Sequence, residues 1–113
     1  MTAYEKIVQS ISPLGYPYDP EVYQGKADSY FTYNYADDRG ALYADDEPQT
    51  TVASMQVHFY MPADKSFSRI KNKIRNALFQ NGFTFPVITV LTEDEKKIRH
   101  IIFECEIEEN MEE

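Results

Sequence analysis

His58, His100 and Cys105 are the only soft side chains in this sequence that could bind a transition metal or act as a nucleophile, and their spacing supports neither role. There is no CxxC, no HExxH and no closely spaced histidine pair. His58 falls on the polar side of its segment, with Ser54, Gln56 and Tyr60, so a solvated strand histidine is expected rather than a ligand. Cys105 shares a side with Ile101, Phe103 and Ile107, which predicts a buried structural thiol. The glycines at 15, 25, 40 and 82 are dispersed, so no loop can cradle phosphates. Asp37, Asp38, Asp45, Asp46 and Glu47 lack the DxDxDG spacing and distal Glu of a calcium loop, and polar turns account for them. No carboxylate pair has an evident environment that would perturb its pKa. The residues therefore predict no catalytic group, no cofactor and no metal site, and a non-enzymatic role.

Charge carries more information. Lys65, Arg69, Lys71, Lys73 and Arg75 give the stretch 65–75 a charge of +5 with no acid inside it. The whole chain is −8, so the remainder is −13. A charged outer face is ordinary for an amphipathic helix, but helices usually intersperse the two signs, and Lys71 and Arg75 repel at i, i+4 spacing. A partner of negative potential would relieve that repulsion. The same chain supplies two candidates, the acidic loop at Asp45, Asp46 and Glu47 and the acidic end from Glu108 to Glu113. Contacts of that kind run head to tail between copies and make a ring if the rotation closes.

The pI near 4.7 argues against general nucleic-acid binding. A single cysteine excludes an internal disulfide. No run of 18 apolar residues and no apolar segment near Met1 is present, so neither membrane spanning nor export is expected, and the cytosol is the default location. At 113 residues the chain suits one domain, 1–113, and its nine Tyr and seven Phe suit strands and interfaces.

The elements that must position these residues follow from periodicity. Thr2 and Glu5 have capping-box spacing ahead of Tyr4, Ile7, Val8 and Ile11, a short helix that Pro13 and Gly15 end near Ser12. Tyr16 to Pro20 reads as extended, at most a short edge strand. Ser29 to Tyr35 reads as a strand, Asp37 to Gly40 as a turn, and Ala41 to Ala44 as either a hairpin arm or an ordered loop. Thr51 to Met61 alternates as a strand with Ala53, Met55, Val57, Phe59 and Met61 on one side. Ser66 to Asn81 reads as a helix with the stripe Phe67, Ile70, Ile74, Ala77 and Leu78, Gly82 at C′, and Lys71, Lys73 and Arg75 turned outward. Phe83 to Thr92 and Ile98 to Glu108 read as a final strand pair, with 108–113 frayed. The result is an α+β domain of order α-β-β(-β)-α-β-β, a mainly antiparallel sheet of four to five strands with both helices on one face.

The segments "SYFTYNYADDRGALYADDEPQTTVASMQVHFYMPAD" and "FSRIKNKIRNALFQNGF", flanked by a short first helix and an acidic last strand, resemble the tail terminator, or tail-completion, proteins of long-tailed bacteriophages and prophages. The most specific piece is "ALYADDE", Ala41 to Glu47, followed by "VASMQVHFY", Val52 to Tyr60. The resemblance implies a subunit that forms a ring, typically of six copies, on the end of the tail tube, stops tube growth and presents a joining surface to the head connector. It implies the tail tube protein and a head-completion protein as partners, and a place in the host cytoplasm during assembly and then at the head-proximal end of the virion tail. Another head–tail joining or head-closure role is the nearest alternative. A ferredoxin-like ligand-binding or regulatory domain is the alternative from a different class.

Overall fold

The computed structural model describes residues 1–44 and 47–110, with the side chains of 42–49 and 110 outside that description. Helix α1 (Ala3–Ile11) begins at the expected capping box: Glu5 N–H donates to Thr2 Oγ1 at 3.2 Å and Thr2 N–H to Glu5 Oε1 at 3.0 Å. A 3-10 turn (Ser12–Leu14) follows, closed by Gly15 at φ 89°, a left-handed conformation that glycine adopts without strain. Strands β1 (Tyr18–Pro20), β2 (Tyr30–Ala44) and β3 (Glu47–Pro62) precede helix α2 (Ser68–Gln80), and β4 (Val87–Glu93) and β5 (Ile98–Asn110) complete the chain.

The five strands form one sheet in the order β1-β2-β3-β5-β4. All neighbours are antiparallel except β1 and β2, which are parallel. The extended Tyr16 to Pro20 segment is thus an edge strand, as proline demands, but it runs in the same direction as its partner. The core lies on one face, where Phe31 pairs with Phe59 and Phe59 with Ile101, and where Val57 pairs with Phe103. Ile7 and Ile11 of α1 and Ile74 and Leu78 of α2 close over these side chains, so both helices cover the same face. The fold is α+β with a mostly antiparallel sheet.

Helix α2 starts at Ser68 and ends at Gln80, inside the expected Ser66 to Asn81, with Phe67 at its N-cap, and three further segments differ from expectation. Asp37 to Gly40 is not a turn: β2 runs through it, pairing Asp37 with Ser54 and Gly40 with Thr51, after a bulge between Tyr35 and Asp37. Ala41 to Ala44 accordingly belongs to a hairpin arm. The predicted strand from Phe83 begins only at Val87, because Phe83 turns into the core with its N–H on Leu78 O, and Pro86 cannot donate to a ladder. Glu108, Glu109 and Asn110 are not frayed, since β5 holds them against Val52, Thr51 and Thr50. Asp45 and Asp46, with residues 111–113, lie outside the described residues.

The long hairpin makes the molecule an elongated body of 54 × 24 × 23 Å. Among the described residues the buried side chains of β2 end at Tyr33 and those of β3 begin at Ala53, so 37–44 and 47–52 run past them, with β5 alongside as far as Asn110.

Candidate functional site

The five cations do not form one patch. Arg69 and Lys73 are one helical turn apart on α2 and, with Lys65 from the preceding turn, line an open groove of about 350 Å³ beside Ser29 and Ser66. Its inner wall is apolar, formed by Tyr16, Phe59, Met61 and Ile70. The Lys65 backbone is pinned, because its carbonyl accepts Arg99 Nη1–H at 2.8 Å. Lys71 and Arg75 take the other side of the helix and are half-buried rather than fully outward: the Lys71 ammonium lies 5.9 Å from the Phe67 ring centre and the Arg75 guanidinium 5.0 Å from that of Phe85. Arg99 covers the Phe67 ring as well, at 4.5 Å. Among the described residues none of the five cations pairs with an acid. Of the acidic candidates, Asp45 and Asp46 are outside the described residues, and for Glu47 only the backbone is described, paired with Ala44.

The arm is braced at its base on both faces. On the face away from the helices, Arg39 bridges Glu106 at 2.7 Å and Asp37 at 3.0 Å, while Ser54 Oγ–H donates to the same Glu106 carboxylate at 2.8 Å. Hydrogen bonds from Arg39 and Ser54 hold the Glu106 carboxyl below its usual range. On the helical face, Glu109 Oε2 accepts from Ala3 N–H at 2.7 Å and from the Tyr35 hydroxyl at 2.8 Å. A carboxylate from β5 thereby satisfies a free N–H at the positive end of α1 and ties the arm's base to the body. Beyond Tyr33 no described strand pairs with the outer side of β2, and Asp37, Asp38 and Arg39 are exposed there. Charges on an open edge discourage pairing with arbitrary strands.

The sheet face opposite the helices holds a cluster that the sequence did not reveal. Tyr23, Tyr30, Tyr60 and His100 stack in a row, with ring centres 4.1, 4.8 and 4.3 Å apart. His58 Nδ1 lies 2.7 Å from His100 Nε2, and His58 Nε2 lies 2.9 Å from Asn34 Oδ1. The Asn34 amide donates to Gln56 Oε1 and to Tyr35 O, so its oxygen must accept from His58 Nε2–H. His58 Nδ1 is then an acceptor and His100 Nε2–H its donor, which assigns both tautomers. His58 is therefore not a solvated strand histidine: it is half-buried and chained to its neighbours. Burial, and then the neighbouring His100, pull its pKa down to about 4, and burial lowers that of His100 too. The two histidines are diagonal cross-strand neighbours of β3 and β5. Their shared polar side was visible in the alternation of each strand, but the register that joins them was not.

Cys105 is buried, and burial pushes its thiol pKa up to about 12, which keeps it protonated and unreactive as a nucleophile near neutral pH. Among the described residues no three His, Cys, Asp or Glu side chains are grouped to hold a metal ion, and no helix is long and apolar enough to cross a membrane. No known family model matches the chain, and no curated protein matches it.

Proposed function

We propose that this chain is a structural subunit that assembles with copies of itself, and that the assembly is the ring that caps a phage or prophage tail tube and presents a joining surface to the head. The observation that carries this reading is the projecting arm. The arm is a three-stranded extension braced on both faces with no buried side chain among its described residues 37–41 and 50–52, a surface that a neighbouring copy can cover. Charge supports the same arrangement, since a basic groove whose cations pair with no acid among the described residues lies at one end of an elongated, acidic molecule. The tail assignment comes from the sequence resemblance; the arm and the charge support assembly in general. The half-buried histidine and tyrosine row on the second sheet face gives a rigid, mostly uncharged surface suited to a neighbouring protein.

A shortened arm tests the reading. Replacing residues 41–50 by Asn-Gly joins Gly40 to Thr51, which are paired, through a two-residue hairpin turn and keeps every residue that is buried among those whose side chains are described. The shortened chain is expected to keep the far-UV spectrum and cooperative melt of the parent and to sediment as a monomer at concentrations where the parent sediments as a closed oligomer. Equal assembly of the two would remove the arm from the interface.

A further inference from the structure

We infer that the groove lined by Lys65, Arg69 and Lys73 is the docking site for the acidic C-terminal segment, residues 108–113, of a neighbouring copy. This assignment rests on the assembly reading above and names the contact that closes it.

The groove has the chemistry of such a segment. Three cations, none paired with an acid among the described residues, surround an apolar wall that includes Tyr16, Met61 and Ile70. The segment Glu-Glu-Asn-Met-Glu-Glu alternates in the complementary sense, with one apolar side chain, Met111, between acidic pairs. Methionine is unbranched and polarizable, so it fits an irregular apolar wall while the flanking carboxylates meet ammonium and guanidinium groups. Glu109 is already engaged by Ala3 N–H and the Tyr35 hydroxyl, which leaves Glu108, Glu112 and Glu113 for the contact.

Reach decides between the chain's own groove and a neighbour's. Asn110 pairs with Thr50, whereas Ile98 pairs with Pro62 at the opposite end of the same strands, next to Met61 and Lys65 of the groove. At about 3.3 Å per residue, the end of β5 lies roughly 30 Å or more from the groove. Residues 111–113 span at most about 10 Å when fully extended. The acidic segment cannot fold back into the groove of its own chain, so only another copy can supply it. The contact joins opposite ends of two molecules and is therefore heterologous, the kind that builds rings.

The test uses the intact protein and a fluorescein-labelled peptide of residues 106–113, with fluorescence anisotropy as the readout. The expected result is saturable binding that weakens with added salt and falls about tenfold with Arg69→Glu/Lys73→Glu, since each reversal replaces an attraction by a repulsion. Both substituted side chains are exposed, so the melt of the variant should match the parent. A Met111→Ala peptide should also bind more weakly. Absence of saturable binding, or equal binding by parent and Arg69→Glu/Lys73→Glu, would overturn the assignment. Sedimentation of the parent separates this failure from that of the assembly reading. Oligomers with no peptide binding would sink the groove alone, and specific peptide binding by a chain that never oligomerises would support the groove and sink the ring.

Discussion

Replacing Phe59 with Ala should cost about 3 to 5 kcal/mol and lower the melting temperature by roughly 15 °C or more, the largest single-residue effect expected in this protein. Phe59 is 1% exposed and stands in the middle strand of the sheet, between Phe31 on β2 and Ile101 on β5. Its ring meets Phe31 at 4.7 Å and Tyr16 at 5.0 Å between centres, so truncation leaves a cavity and strands two aromatic partners. A domain of this size has about 5 to 15 kcal/mol in total, so roughly a fifth or more of its stability would be lost. Phe59→Leu should cost clearly less, because it retains most of the volume. Thermal melts by circular dichroism would check both, and a Phe59→Ala melt within a few degrees of the parent would place the folding core elsewhere.

The paired histidines should make stability fall as the solution is acidified from pH 7 to pH 5. In the unfolded chain His58 titrates near its ordinary value of 6.5, whereas in the folded sheet its pKa is about 4. The unfolded state therefore binds protons first as pH falls below about 6.5, so stability is full above that value and is lost towards pH 4. Taken in full, the difference between 6.5 and about 4 would be worth roughly 3 kcal/mol. His58 is only half-buried, and solvent screening reduces the expected loss to about 1 to 2 kcal/mol. The tautomer chain adds a structural reason: a proton on His58 Nδ1 would face the donor His100 Nε2–H at 2.7 Å. The window above pH 5 separates this effect from carboxylates such as Glu5 and Glu106, whose pKa values lie below their ordinary 4.5. His58→Gln keeps hydrogen-bonding groups but cannot titrate, so its urea midpoint should change much less between pH 7 and pH 5. An equal slope in parent and variant would show that His58 does not control it.

The body of the fold was legible in the sequence because burial writes periodicity. Ile7 and Ile11, Ile74 and Leu78, and the alternation from Ala53 to Met61 and from Ile101 to Cys105 all lie where their spacing put them. The arm was not legible for the complementary reason. Asp37, Asp38 and Arg39 face solvent and Gly40 has no side chain, so no apolar alternation marks them, and their turn-like chemistry is overridden by pairing with residues 51–54. The parallel pairing of β1 also left no local signal, since three residues are too few to show direction. For the candidate site, the net basic charge of 65–75 was plain, whereas its division was overlooked. On α2 helical spacing puts Arg69 and Lys73 on one side and Lys71 and Arg75 on another, whereas Lys65 precedes the helix and joins the first pair only through the turn before it. The histidine pair depended on the register between β3 and β5, strands separated in the chain by both α2 and β4 rather than by a tight turn, and no local rule fixes that register.

The proposal that this chain ends tail growth can be checked by electron microscopy of phage particles. The particles would be those induced from a host in which the reading frame for this chain is interrupted early. The expected result is overlong tail tubes without heads, restored to normal length and joined to heads when the intact chain is supplied in trans. Tails of normal length carrying heads in the interrupted strain would contradict it.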